Sequence, residues 1–114
     1  MSPSPRKVLL VLAMLAAVPG ARAADISGAM TADFLVQCQS SQTACRDFAS
    51  DMLKALTGAP ALASGKTYRG CAPLPLSLPQ TGQLLERILS RPQEATGNAA
   101  EDIAVAAQAI WPCR

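Results

Sequence analysis

Apolar positions from about residue 31 onward recur at three- and four-residue steps, the spacing that lines one side of an α-helix. The clearest run is "TACRDFASDMLKALTG", where Cys45, Phe48, Ala49, Met52, Leu53 and Leu56 form one stripe and Gly58 stands where a C-terminal cap belongs. Before it, "TADFLVQCQ" places Phe34, Leu35 and Cys38 on one face with Thr31 available as a cap, and "SSQ" separates the two helices. A third helix is expected from about Thr81 through "GQLLERILS", burying Leu84, Leu85, Ile88 and Leu89 and stopped by Arg91-Pro92. A fourth starts near Asn98, with Glu101 three residues on completing a capping box. Ile103, Ala107, Ile110 and Trp111 share its inner face, and Ala104 and Ala107 permit close approach of a neighbour. Alanine is abundant and β-branched residues are few, which favours helix over strand. The expected fold is all-α: a small four-helix domain with a long proline-rich loop, two disulfides and no internal repeat.

That loop is "TGAPALASGKTYRGCAPLPLSLP", with four prolines and three glycines, which excludes regular helix over most of it. A connection this long in a small domain is expected to be pinned or functional. Cys71 inside it offers the pin, and Leu74, Leu76 and Leu78 alternate as an extended cover for apolar surface.

The first 23 residues read differently. Arg6 and Lys7 precede an apolar run from Val8 to Val18, Pro19-Gly20 break it, and Ala21-Arg22-Ala23 fits a small-x-small cleavage pattern. Eleven apolar residues fall well short of the roughly 20 of a spanning helix. Residues 1–23 are therefore expected to be a cleaved signal peptide and 24–114 a single helical domain, exported to the periplasm and no longer membrane-bound. The full chain has a formal charge of +2, but cleavage removes Arg6, Lys7 and Arg22, leaving seven basic residues against eight acidic ones. A slightly acidic domain has no basic patch for nucleic acid or anionic lipid.

Four cysteines in an oxidising compartment point to two disulfides. A zinc site is not expected, because positions 38, 45, 71 and 113 contain no C-x-x-C and the chain has no histidine. Cys38 ends the first helix and Cys45 opens the second, so a helical hairpin brings them together. If the third and fourth helices are also antiparallel, Cys113 at the end of the fourth meets Cys71 before the third. Of the three connectivities, only Cys38–Cys45 with Cys71–Cys113 avoids crossing the helix pairs. This pairing also accounts for Trp111, Pro112 and Cys113 at a chain end, where residues ordinarily fray.

Catalytic chemistry is hard to find. "SGKTYRG" contains the Gly-Lys-Thr of a phosphate-binding loop, but Pro60 stands where that motif needs glycine, and no strand precedes it. Asp47 and Asp51 lie one turn apart off the apolar stripe beside Lys54, as on a solvated face. Ser40 and Ser41 have no histidine to activate them, and Lys66 lies in a loop. No catalytic residue, metal ligand or cofactor is assigned, and the chain is not expected to be an enzyme. Trp111 fits the core; Tyr68, with Lys66 and Arg69 beside it, fits a partner contact.

The order "FLVQC", "ACRDFASDML", "RGCAPLPLSLPQTGQLLERILSRP", "AAEDIAVAAQAIWPC" resembles the Rap/Tai family, the immunity proteins that protect bacteria from amidase toxins of the type VI secretion system. The resemblance spans essentially all of residues 24–114. It rests on cysteine placement, on the long helix ending near a proline and on the aromatic-Pro-Cys close. The family tends to show Gly-Tyr after its second cysteine and a glycine one turn on; here those places hold Asp47, Phe48 and Asp51. The resemblance implies an all-helical periplasmic protein, often a homodimer, that binds a secreted peptidoglycan amidase effector and covers its cleft. Two irregular stretches, 57–80 and 91–98, qualify as the contact loop.

The competing reading is an acid-stress chaperone of the HdeA type, also small, helical, periplasmic and disulfide-bonded. Such proteins expose apolar surface when carboxylates protonate. Few acids, two expected disulfides rather than one and no histidine argue against it.

Overall fold

The computed structural model describes residues 28–58, 62 and 64–114. The expected signal peptide, 1–23, lies outside them. Among the described residues the chain forms four α-helices: α1 Thr31–Ser40, α2 Gln42–Gly58, α3 Leu78–Ser90 and α4 Ala99–Ile110, with a 3₁₀ turn Pro92–Glu94 between the last two. No strand is present among them, only two isolated antiparallel bridges, Met30 with Asn98 and Gly70 with Pro112. None of these helices is long and apolar enough to cross a membrane.

The break between α1 and α2 shrinks to one residue, Ser41. Its N–H donates to the Gln37 carbonyl at 3.0 Å, its carbonyl accepts from Cys45 N at 3.0 Å, and its Oγ accepts from Ala44 N at 3.1 Å. One extended residue thus ends one helix and caps the next. The corner is held by the Cys38–Cys45 disulfide, with Cα atoms 4.4 Å apart, and by Phe34 stacked on Phe48 at 5.2 Å between ring centroids.

The stripe of α2 behaves as its spacing dictates: Cys45, Ala49, Met52, Leu53 and Leu56 are buried. Gly58 is the last helical residue, without the left-handed backbone of a glycine cap. Helix α3 begins at Leu78, three residues earlier than expected. Ser77 and Gln80 form a reciprocal capping box (Gln80 N to Ser77 Oγ 3.1 Å, Ser77 N to Gln80 Oε1 2.8 Å), and Pro79 sits in the first turn, where its missing N–H costs nothing. Proline there marks the start of a helix rather than the end of a loop. Leu84 and Ile88 are buried with Thr81 and Leu85 is half-buried, but Leu89 is 63% exposed. Its side chain falls one position beyond the Thr81–Leu84–Ile88 stripe.

Helix α4 is the centre of the fold and packs against α1, α2 and α3. Ala99, Ala100, Ala104, Ala106 and Ala107 are all buried around Ile103. A helix so rich in alanine lets three neighbours approach closely without leaving voids.

Two buried acids open α4. Glu101 is 7% exposed and Asp102 4%. Asp102 Oδ1 accepts from Thr96 N at 2.8 Å and Thr96 Oγ1 at 2.9 Å; its Oδ2 accepts from Thr31 Oγ1 at 2.6 Å and Gly97 N at 3.1 Å. Thr31 therefore does not cap α1. Met30 holds the cap position without a side-chain bond, and Thr31, 7% exposed, spends its hydroxyl on Asp102. Backbone bonds run beside this contact, from Thr31 N to Gly97 O and from Ala99 N to Ala29 O, each 2.9 Å. The capping box expected at Asn98 is half made. Asn98 Oδ1 accepts from Glu101 N at 3.0 Å, but Asn98 N donates to Thr96 Oγ1 at 3.1 Å, and the Glu101 carboxylate reaches elsewhere.

The Asp102 network sets an order of stabilities. Thr31→Val removes one donor and should cost about 1 kcal/mol; Asp102→Asn, which turns an N–H₂ toward donors, should cost more. Asp102→Ala leaves several buried donors unmatched and should cost about 3 kcal/mol or more. Urea unfolding of the three variants measures this. Equal, near-zero effects would show that the carboxylate organises nothing.

Candidate interaction surface

Residue 62 and residues 64–77 carry neither helix nor strand, yet much of this segment is fastened to α4. Ser64 donates to the Glu101 carboxylate from N and Oγ, each at 2.9 Å. Arg69 N donates to Gln108 Oε1 at 2.7 Å. Gly70 bridges Pro112, and Cys71 N donates to the Trp111 carbonyl at 2.7 Å. The Cys71–Cys113 disulfide, Cα atoms 5.0 Å apart, closes the far end. Anchors on the loop advance from 64 to 71 as those on α4 and its tail advance from 101 to 113. The loop therefore runs along the helix as a strap, in the same direction. Glu101 and Gln108 are seven residues apart, two turns, and share the face on which it lies.

Both disulfides thus join the cysteines that the order of helix ends indicated, with no free cysteine among the described residues. On chain-entropy grounds the short loop contributes about 2.5 kcal/mol and the long one about 4.

Beyond the strap the chain folds down onto α2. Leu76 is buried at 2% exposure, and its N–H donates to the buried Ser50 Oγ at 3.0 Å. Leu74 and Leu78 remain 40% and 42% exposed. The three alternating leucines do not form one apolar cover: Ser77 already caps α3 and Leu78 is its first residue, so the extended register needed to align them is absent.

The three residues expected to contact a partner separate into two roles. Lys66 and Arg69 are exposed on the strap, and neither forms an ion pair among the described residues. Tyr68 turns inward. It is half-buried against the core with Leu62 and Ala72, and its ring lies so close over Gly70 that a side chain at position 70 would run into it. Its Oη is buried without a hydrogen-bond partner. Burial pushes the phenol above its usual 10, opposed only in part by the Ala72 backbone, which lies outside good hydrogen-bond geometry.

Elsewhere the groups considered for catalysis stay apart. Asp47 and Asp51 are exposed on α2, and Asp47 pairs with Arg46 at 3.1 Å. Ser40 Oγ donates to the Val36 carbonyl at 3.2 Å, and Ser41 serves the helix corner. No group of three or more metal-ligating side chains occurs among the described residues. A groove of about 360 Å³ lies beside the Cys38–Cys45 bond, lined by Gln42, Leu78, Pro79, Thr81, Gly82 and Leu85; it holds no titratable side chain apart from the bonded cysteines. The second irregular stretch, 91–98, is occupied internally: Thr96 and Gly97 serve Asp102, and Glu94 pairs with Arg87 at 3.3 Å. Trp111 is half-buried against the core, as its place on the inner face of α4 indicated. Gln108 and Ser64, which fasten the strap, gave no sequence signal beyond being polar, and Glu101 signalled only a helix cap.

Compared with known protein families, curated proteins and solved structures, the chain matches none.

Tyr68 is the only tyrosine, so its ultraviolet titration is unambiguous. The folded protein should ionise above pH 10. With its acid form favoured by folding, this group's contribution is complete below the unfolded value and is lost as pH rises through the folded one. Tyr68→Phe removes a buried, unmatched hydroxyl and should leave stability at neutral pH unchanged or raise it by up to about 1 kcal/mol. A titration midpoint at or below 10, or a strongly destabilised Phe variant, would refute this environment.

Proposed function

We propose that the protein is a periplasmic, immunity-type binding protein that occludes a peptidoglycan amidase toxin, with the strap over residues 64–71 as its contact surface. The observation that carries the choice of surface is the strap itself. An irregular segment is fixed at Ser64, Arg69, Gly70 and Cys71 while Lys66, Thr67 and Arg69 stay exposed. A loop already ordered before association loses little conformational freedom on binding, which favours tight complexes. The role comes from the resemblance to the Rap/Tai family over residues 24–114, and two disulfides suit an oxidising compartment.

Inhibition by occlusion asks three things of such a molecule. It must stay folded outside the cytosol, present a shaped surface and survive contact with a hydrolase without reacting. Four packed helices with two staples serve the first. The strap serves the second, its cations offered to the partner and Tyr68 holding it from beneath. For the third, no nucleophile–base pair is assigned to this chain, and blocking a cleft requires none.

The test is co-expression in the periplasm with a candidate peptidoglycan amidase effector, taken from the neighbouring gene where that gene encodes one. Protection from lysis is expected. Lys66→Glu with Arg69→Glu should weaken the complex at least about tenfold, a change of about 1.4 kcal/mol, without altering helical content. Tyr68→Ala is a poor probe of contact, since it also removes packing under the strap. Full lysis with the protein expressed and folded would reject the immunity role.

A further inference from the structure

The two disulfides differ in surroundings. Cys45 is 1% exposed and belongs to the core, and Cys38 packs against it. Cys71 and Cys113 are both exposed. The first bond lies within the α1–α2 corner, whereas the second fastens only the end of the strap to the tail after α4.

We propose that Cys71–Cys113 is a redox-sensitive latch, which a dithiol reductant opens while the four helices stay folded. One thiolate of the reductant attacks a sulfur of the exposed bond, forming a mixed disulfide and releasing one cysteine thiolate. The second thiol of the reductant then displaces the other cysteine. The protein gains two electrons and two protons as Cys71 and Cys113 thiols, and the reductant leaves as its own disulfide. Access governs which bond is attacked: Cys71 and Cys113 are both exposed, whereas Cys45 is buried and Cys38 half-buried, approached only along the groove beside them.

The fold confines the opening. Leu76 stays buried, with its N–H on Ser50 Oγ and Ser77 capping α3, so the chain is held on the α3 side of the latch. Pro73 and Pro75 lie between these anchors and Cys71. The buried side chains of α1 to α4, from Phe34 to Ala107, form a core that includes neither Cys71 nor Cys113. Once the bond is cut, the start of the strap stays held by the buried Glu101 carboxylate on Ser64 and by Leu62 and Tyr68 packed against the core. Near the latch only the Arg69 and Cys71 N–H bonds and the Gly70–Pro112 bridge remain, and these lie near the surface, where local opening is easiest. Release of this end also frees the Trp111 carbonyl, which accepts from Cys71 N, and loosens the tail that carries the half-buried indole. The latch does not depend on the amidase reading. Its consequence, that oxidation arms the binding surface, rests on that reading.

Graded reduction of the full oxidised protein with dithiothreitol, followed by rapid alkylation and peptide mass mapping, tests the latch without any partner. Cys71 and Cys113 should be labelled at least about tenfold faster than Cys38 and Cys45. At that stage far-ultraviolet circular dichroism should keep its helical signal, while emission from the single tryptophan shifts to the red. A Cys71→Ser, Cys113→Ser double variant should match this half-reduced state and retain the Cys38–Cys45 bond. Labelling of all four cysteines together with loss of helix, earlier labelling of Cys38 and Cys45, or an unfolded double variant would each overturn the proposal. Failure to protect against an amidase would leave the latch untouched and reject only the binding role.

Discussion

Two adjacent buried carboxylates at the start of α4, Glu101 and Asp102, hold the rest of the structure in register. Each points to a different part of the chain. Asp102 takes the start of α1 and the turn before α4; Glu101 takes the strap through Ser64. Among the described residues their donors are neutral, backbone N–H groups and hydroxyls. Two buried carboxylates without a cation beside them there are tolerable because the first turn of a helix presents positive dipole and unspent N–H groups. The hydrogen bonds replace the water that burial removes.

The consequence is a molecule organised around one alanine-rich helix. Alanine lets α1, α2 and α3 close around α4, and the acids at its N-terminus fasten what precedes and covers it. At the other end Gln108, the Trp111 carbonyl and Cys113 fasten the strap again. The covalent staple and the acid pair thus clamp the same loop at opposite ends, and between these clamps lie its exposed cations. The proposed contact surface is thus shaped by the scaffold itself.

Local features of the chain were legible in its sequence. The stripe of α2, the small residues of α4 and the disulfide pairing follow from periodicity and from the order of helix ends, because each involves neighbours or simple antiparallel packing. What was hidden depends on distance. Thr31 looks like a cap until its hydroxyl finds a carboxylate 71 positions away, and Ser64 finds Glu101 across 37. Polar residues of this kind carry no periodic signal, and acids read as surface. Tyr68 misled for a related reason: an aromatic in a loop suggests an exposed anchor, but Gly70 leaves room for the ring to lie inward. Pro79 signalled a loop by composition and a helix start by position. For the proposed contact surface, composition marked an irregular segment, whereas its course along α4 needed the fold.

The central claim is that the irregular segment is an ordered strap and not a loose loop. Amide hydrogen exchange followed by nuclear magnetic resonance on the oxidised protein tests it most directly. The N–H groups of Ser64, Arg69 and Cys71, each bonded to α4 or its tail, should exchange at least about a hundredfold more slowly than the same amides in an unstructured peptide. Thr67, between the clamps, should exchange quickly. Exchange of all four at the unstructured rate, with the helices still protected, would contradict the account.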